Sequence, residues 1–261
     1  MKISVPILTA AILTATLPAN ALTLNRSYGV WTGVTGGSNI SYWNYQNGSY
    51  YQSQYTTGEN QARWGIPASG NTSQFWQQSG LGFQGVGTTV FNPGDTFQIG
   101  RLRHFNNPIY NAASAASLSL NLDFSGLGVK SFDFTLNIDE TPNSGACPYY
   151  SITPCSDKIS WANSFGSQSF FNNGIEYTLE LLGFSAAPGS AIVTDFLSQE
   201  GGTSQAFLYG KLTALTPPPP PPPPILEPEP VPDPVTDVPE PSAIAGLLLV
   251  GLSALFRRDR R

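Results

Sequence analysis

Apolar and polar side chains alternate strictly in three segments of the chain, residues 117–124, 131–139 and 175–181. In the first segment, Leu118 and Leu120 are each flanked by polar residues. A period of two is typical of strands that bury one face and expose the other. Looser alternation predicts further strands at residues 31–34, 61–66, 81–86, 96–105, 159–162 and 206–215.

Turn-forming residues separate these segments, among them Gly36-Gly37, Asn92-Pro93-Gly94 and Pro188-Gly189. Between residues 22 and 216, no stretch has a sustained helical period of 3.6 residues with caps at its ends. About ten short strands joined by turns predict an all-β domain, an antiparallel β-sandwich of jelly-roll type. We assign residues 22–216 to this domain.

The N-terminus has the layout of a secretory signal. Lys2 precedes an apolar run over residues 3–17, and Ala19-Asn20-Ala21 follows it. A basic start, a short apolar core and a small-x-small site formed by Ala19 and Ala21 predict a signal peptide over residues 1–21, removed after export through Sec-type machinery. A retained membrane anchor is the alternative, which the shortness of the run disfavours.

A proline-rich acidic segment, residues 217–237, follows the predicted domain and begins with eight consecutive prolines. Such sequences adopt an extended polyproline II conformation and act as semi-rigid spacers. Its four acidic residues, with no basic residue among them, add repulsion along the chain. We interpret it as a linker that holds the domain away from a membrane; a ligand for a proline-binding domain is the alternative.

The C-terminal segment, residues 238–261, contains three dissimilar parts. A Val-Pro-Glu-Pro motif precedes an apolar stretch over residues 242–256, and a cluster of arginines ends the chain. The apolar stretch is somewhat short of the roughly 20 residues of a transmembrane helix. Because basic residues collect on the cytoplasmic side, the arginines are expected to stay inside. The residues of the motif and the cluster are Val238, Pro239, Glu240, Pro241, Arg257, Arg258, Arg260 and Arg261.

This order of motif, apolar helix and arginines is similar to the PEP-CTERM sorting signal of Gram-negative bacteria. The resemblance implies recognition, and cleavage near the motif, by an exosortase-like enzyme. The membrane helix would then be a transient anchor at the inner membrane, and the mature protein would reside at the cell surface or in the extracellular matrix.

The charge distribution argues against nucleic-acid binding. Five of the 12 basic residues are Lys2 and the four terminal arginines, so residues 22–216 keep seven. Six of the 17 acidic residues lie beyond residue 216, which leaves eleven in the predicted domain. An acidic domain without a cluster of lysine and arginine has no basis for capturing phosphate backbones.

The two cysteines, Cys147 and Cys155, both lie in the exported part of the chain. Outside the cytoplasm such a pair favours a disulfide that closes a surface loop. Metal binding by the two thiolates is the weaker alternative.

A second resemblance covers most of residues 28–200. Four segments, 29–37, 60–65, 79–83 and 102–109, are similar in order to the choice-of-anchor K domain and the overlapping THxN class of PEP-CTERM proteins. Arg103 stands where that class has threonine before His104. The resemblance implies an exported domain joined to surfaces by different C-terminal devices, without an assigned activity.

No catalytic residue is predicted. His104 is the only histidine, and no Gly-x-Ser-x-Gly motif accompanies it. The asparagines and proline that follow His104 suggest that it ends a strand and satisfies backbone groups there; a role in ligand binding is the alternative.

Aromatic residues suggest a ligand surface. Five tyrosines crowd a stretch rich in glycine, asparagine, serine and glutamine, as in adaptable binding loops. We expect Trp31 and Trp64, within predicted strands, to belong to the core. The candidate ligand face consists of Tyr42, Tyr45, Tyr50, Tyr51 and Tyr55, with His104.

Three acidic residues beside the predicted disulfide loop, Asp139, Glu140 and Asp157, are candidate ligands of one Ca²⁺ ion, which prefers oxygen donors. Solvated acidic residues at strand ends are the alternative interpretation. No other cofactor is expected.

These features together predict a non-enzymatic exported protein of the cell surface or extracellular matrix, with adhesion, matrix building or contact with extracellular polysaccharide as its role. The alternative is a secreted polysaccharide hydrolase that uses two carboxylates facing each other across a cleft.

Overall fold

The computed structural model describes residues 21–143, 145–152, 154–162 and 167–215. The predicted signal peptide up to residue 20, the linker and the sorting segment lie outside these ranges. Among the residues described, no helix has the length and apolar character needed to cross a membrane.

The described chain is all-β, which confirms the predicted class. It contains sixteen β-strands and one turn of 3₁₀ helix, Phe75–Gln77. In chain order the strands are β1 (Leu22–Gly36), β2 (Ser41–Gln46), β3 (Ser49–Tyr51), β4 (Glu59–Trp64), β5 (Ile66–Pro67), β6 (Ser79–Gly85), β7 (Thr89–Phe91), β8 (Thr96–Asn106), β9 (Ile109–Tyr110), β10 (Ala113–Phe124), β11 (Gly128–Asp139), β12 (Asp157–Trp161), β13 (Ser167–Asn172), β14 (Ile175–Ser185), β15 (Asp195–Ser198) and β16 (Gly202–Leu215).

The strands form two large antiparallel sheets and a two-stranded ribbon. The six-stranded sheet has the order β15-β12-β11-β10-β1-β7, and the eight-stranded sheet has the order β13-β14-β16-β8-β6-β4-β2-β3. The ribbon joins β5 to β9. Each of the nine strand segments predicted from alternation overlaps one of these strands.

One hydrophobic core contains side chains from both large sheets, as in a β-sandwich. Leu118 and Leu120 of β10 are buried from the six-stranded side, and Leu102 and Leu208 are buried from β8 and β16 of the eight-stranded side. Burial of a leucine side chain contributes about 1.5–3 kcal/mol. The strict alternation that predicted β10 and β11 therefore reflects one face packed on the core and one face outside it.

The predicted disulfide between Cys147 and Cys155 is confirmed. It closes a loop between β11 and β12, with a sequence separation of 8 residues and a Cα–Cα distance of 5.0 Å. A loop of this length loses conformational freedom in the unfolded chain when it is crosslinked. It also restricts the segment that leads from Glu140 to Asp157.

Replacing both Cys147 and Cys155 by serine is expected to lower the free energy of unfolding by about 2–3 kcal/mol, because the unfolded loop regains that freedom. Urea unfolding of the oxidised protein and of the double variant measures the difference. Reduction of the wild-type protein should reproduce the effect of the double substitution. Equal unfolding midpoints in all three samples would contradict the prediction.

Candidate functional site

Strand β4 carries a row of polar side chains that point away from the hydrophobic core. Glu59, Gln61 and Arg63 alternate with residues that face the core, and all six residues of the strand are buried. In the neighbouring strand β6, Gly80 and Gly82 lie opposite Arg63 and Gln61. A Cβ atom at Gly80 would lie 2.5 Å from Cδ of Arg63, and one at Gly82 would lie 2.7 Å from Oε1 of Glu59. The two glycines leave the space that these long side chains occupy.

Hydrogen bonds join this row into one network. Nε and Nη2 of Arg63 donate to Oε1 of Gln61 at 3.0 and 2.7 Å, and Nε2 of Gln61 donates to Oε1 of Glu59 at 2.7 Å. Nη1 of Arg63 donates to the carbonyl oxygen of Gln78 at 3.1 Å, and its guanidinium lies 3.6 Å from the ring centroid of Phe105. Burial lowers the pKa of Arg63 to about 10, so the side chain remains charged at neutral pH.

Aromatic side chains cover part of this outer face. Trp43 of β2 stacks on Phe75 of the 3₁₀ helix with ring centroids 3.7 Å apart, and Tyr50 packs edge-on against Phe75 at 5.1 Å. Because the segment after β5 folds over the sheet in this way, the charged row on β4 is shielded from water. From the alternation of residues alone, this row would be predicted to face solvent.

Two arginines of β8 bind the carboxylate of Glu59. Nη2 of Arg103 donates to Oε1 of Glu59 at 2.5 Å, and Nη2 of Arg101 lies 3.6 Å from Oε2. The side chain of Glu59 is 2% exposed, whereas those of Arg101 and Arg103 are 32% and 23% exposed. Arg101 also donates to Oε1 of Gln84 at 2.5 Å. The glutamate is therefore internal, and the guanidinium groups reach the surface.

A cleft opens directly above this group. Its volume is about 610 Å³, within the range that small-ligand sites occupy. We call it the arginine cleft; it is lined by Tyr45, Gln46, Asn47, Thr57, Gly58, Glu59, Gln84, Arg101 and Arg103.

The arginine cleft is positively charged in an otherwise acidic domain. Arg101 and Arg103 contribute two positive charges, and Glu59 is the only acidic residue among the lining residues. The Nε atoms of both arginines are buried without a hydrogen-bond partner among the described residues. Guanidinium groups form paired hydrogen bonds to carboxylates, sulfates and phosphates, and amide side chains bind hydroxyl groups. The arrangement can bind a polar anionic ligand.

The structure brings some of the predicted tyrosines together and separates others. Tyr45 lines the cleft and lies 4.7 Å from Tyr50, and Tyr51 lies 5.9 Å from Tyr55, measured between ring centroids. These four side chains are 38–44% exposed. Tyr42, in contrast, is half-buried and packs against the core.

His104 does not share this surface. It is fully buried, and it follows Leu102 by two residues on the core-facing side of β8. Glu59, Arg101 and Arg103 of the cleft were not predicted from the sequence as ligand-binding residues, and Arg103 was noted only as a departure from the THxN motif. The available signal was the spacing of charged residues at every second position in β8, which places Arg101 and Arg103 on one face of the strand.

A second polar group lies between the two sheets and contains His104, Glu140 and Asp157. We call it the His104 cluster. Each residue offers a ligand atom, and these atoms all lie within 4.8 Å of one another. Burial, reinforced by the positive charge of Arg63, lowers the pKa of His104 to about 3, so its imidazole is neutral.

Acidic residues in the cluster and next to it have raised pKa values. Burial raises the pKa of Glu140, and the nearby charges of Asp157 and Glu200 raise it further. Burial also raises the pKa of Asp157, although hydrogen bonds from Thr141 oppose that shift. Glu200 has its pKa raised to about 7, chiefly by burial and secondly by Asp157.

Only two of the three candidate Ca²⁺ ligands meet. Glu140 and Asp157 belong to the His104 cluster, whereas Asp139 is exposed and accepts a hydrogen bond from the hydroxyl group of Tyr149. Residues 139 and 140 are adjacent at the end of an extended strand, so their side chains point in opposite directions.

No protein-family model matches the chain, and no curated protein matches it either.

Proposed function

We propose that the chain is a non-enzymatic exported protein of the cell surface or extracellular matrix that binds an acidic polysaccharide in the arginine cleft. The observation that carries this proposal is the pair Arg101 and Arg103 at the surface of an acidic domain, held by the buried carboxylate of Glu59. A fixed pair of guanidinium groups suits a repeating carboxylate or sulfate.

The rest of the cleft fits a sugar chain. Amide and hydroxyl side chains at Gln46, Asn47, Thr57 and Gln84 offer hydrogen bonds to sugar hydroxyl groups. Tyr45, at the edge of the cleft, presents a flat apolar surface with a polar tip. These groups would contribute affinity that the charges alone do not provide.

Export supports the same role. The predicted signal peptide and the PEP-CTERM-like C-terminus would deliver a jelly-roll β-sandwich of the choice-of-anchor K type, on a proline-rich linker, to the outside of a Gram-negative cell. Sec-type machinery and an exosortase-like enzyme would act on the two ends. Acidic polysaccharides are polymers that such a protein would meet there.

The hydrolase alternative finds less support. A glycosidase places two carboxylates on either side of the bond that it cleaves. Glu59 is the only carboxylate among the residues that line the cleft, and arginines bind it. Glu140 and Asp157 converge on His104 between the sheets.

Binding measurements with purified protein test the proposal. We expect the protein to bind polyuronate and sulfated polysaccharide, to bind neutral dextran at least about tenfold more weakly, and to lose affinity as salt concentration rises. Substitution Arg101→Gln should weaken binding of the acidic polymers about tenfold or more, because it removes a charged hydrogen-bond donor.

Arg26→Gln is the matched control, since Arg26 is an exposed arginine on the six-stranded sheet. It should leave binding unchanged. Equal losses in the two variants would indicate general charge attraction and overturn the cleft as the site. Equal affinity for dextran and polyuronate would overturn the acidic ligand.

A further inference from the structure

The His104 cluster brings together three side chains from separate parts of the chain. His104 lies on β8 of the eight-stranded sheet, Asp157 begins β12 of the six-stranded sheet, and Glu140 directly follows β11. Their ligand atoms are all within 4.8 Å of one another. The cluster therefore bridges the two sheets.

The imidazole of His104 is fully buried, and neither Nδ1 nor Nε2 has a hydrogen-bond partner among the described residues. A buried polar group without a partner lowers stability by about 1–3 kcal/mol. A structural histidine that satisfied backbone groups, as the sequence suggested, would have such bonds. The unpaired nitrogens instead point to a ligand.

The carboxyl groups of Glu140 and Asp157 are close enough to share one proton in a hydrogen bond, and a bound metal ion would displace that proton. Oδ1 of Asp157 accepts hydrogen bonds from the backbone nitrogen and the hydroxyl group of Thr141, at 2.8 and 3.2 Å. Oδ2 of Asp157 and Oε2 of Glu140 receive no hydrogen bond from an N–H or hydroxyl group of the described residues. Thr141 thus orients Asp157 through one oxygen and leaves the other available, as residues behind a metal ligand commonly do.

Two neighbouring polar groups extend the pattern. Nδ2 of Asn106 donates to the carbonyl oxygen of Ser198 at 3.0 Å, whereas Oδ1 of Asn106 and Oγ of Ser198 are buried without partners in the described part of the chain. Asn106 follows His104 by two residues and lies on the same side of β8. Electron-pair donors therefore outnumber hydrogen-bond donors here, which favours a cation.

We propose that His104, Glu140 and Asp157 bind one divalent transition-metal ion, Zn²⁺ in particular, which ties the two sheets together. A nitrogen donor with two carboxylates suits zinc, whereas Ca²⁺ prefers a shell made of oxygen alone. Ligand atoms of a tetrahedral zinc ion lie about 3.3 Å apart, so distances within the cluster would shorten by up to about 1.5 Å on binding. The site lies apart from the arginine cleft, on the other side of β8.

Burial assigns this ion a structural role. Asp157 and His104 are fully buried, and the disulfide Cys147–Cys155 closes the loop between Glu140 and Asp157. The ion would stabilise the folded domain by binding only when the two sheets are packed.

Metal titration of the purified full-length protein tests the proposal. After dialysis against EDTA, the protein should take up one equivalent of Zn²⁺, measured by metal analysis after gel filtration, and its thermal midpoint should rise. Ca²⁺ at the same concentration should produce neither effect. Glu140→Gln should weaken Zn²⁺ binding about 100-fold or more, since even residues behind the ligands change metal affinity 10–100-fold.

Asp139→Asn is the matched control, because Asp139 is the adjacent, exposed carboxylate. It should bind Zn²⁺ as the wild type does. If Glu140→Gln fails to fold, the absorption spectrum of the Co²⁺-loaded wild type provides the test: four-coordinate binding with a nitrogen ligand gives intense visible bands, whereas weak bands of six-coordinate surface binding would overturn the proposal. Absence of a Zn²⁺ equivalent in the wild type, tighter binding of Ca²⁺, or equal Zn²⁺ affinity in Glu140→Gln and Asp139→Asn would also overturn it.

Discussion

Glu59→Ala is expected to lower the free energy of unfolding by about 1–3 kcal/mol, the range for leaving buried hydrogen-bonding groups without their partner. Glu59 accepts hydrogen bonds from Gln61 and Arg103 and lies 3.6 Å from a nitrogen of Arg101. Its removal leaves the buried Arg63 and the two arginines of β8 without a counter-charge. A typical domain has only about 5–15 kcal/mol of stability in total, so this loss would be large.

Urea unfolding of wild type and variant measures this effect. Glu180→Ala is the control, because Glu180 is an exposed glutamate of the same sheet, in β14. It should change stability by no more than about 0.5 kcal/mol. Similar midpoints for Glu59→Ala and Glu180→Ala would show that the arginines find other partners.

Glu59→Gln separates stability from ligand binding. Glutamine keeps the length of the side chain and one acceptor for Arg103, but it removes the negative charge. We expect a smaller loss of stability than with alanine, and stronger binding of an acidic polysaccharide because the cleft gains net positive charge. Weaker polysaccharide binding by a folded Glu59→Gln protein would contradict this role for the carboxylate.

Strands whose two faces differ in environment could be predicted from the sequence. In β10, Leu118 and Leu120 are buried while Ser117 and Ser119 are half-buried, so chemical alternation and structural alternation coincide. Short strands at sheet edges could not be found this way. β3 has three residues, all exposed, and β5 has two, which is too few for a period to register.

The arginine cleft could not be predicted because the burial of the polar side chains beneath it depends on tertiary structure. The polar row of β4 reads as a solvent face, and only the stacking of Phe75 on Trp43 shows that it is covered. The glycines Gly80 and Gly82 interrupt an apolar pattern for a similar reason, since they make room for side chains from another strand.

The position of His104 illustrates a second limit of prediction from the sequence. Two asparagines and a proline after it suggested a turn, and the strand does end at Asn106. His104 is buried against Glu140 and Asp157 because β11 and β12 of the other sheet pack over it. The spacing of residues in the sequence does not show how the two sheets pack. The adjacent acids 139 and 140 were grouped by proximity in sequence, although strand geometry sends them to opposite faces.

Trp31→Ala is expected to destabilise the domain by about 3–5 kcal/mol, the usual loss for truncating a buried tryptophan. Trp31 was predicted to be a core residue, and its side chain is only 2% exposed. Its Nε1 donates to the carbonyl oxygen of Asn60 at 2.8 Å, which fixes β4 from the core side beneath the arginine cleft. Because β4 also carries Glu59, the variant should weaken polysaccharide binding as well as stability.

Trp76→Ala is the comparison variant. Trp76 is 55% exposed and packs beside Phe75, which covers the outer face of β4. Its unfolding midpoint in urea should match that of the wild type, because an exposed side chain contributes little packing. Both variants are compared by urea unfolding and by polyuronate binding below their unfolding transitions. A Trp31→Ala protein with the unfolding midpoint of the wild type would contradict the predicted contribution of this side chain to the core.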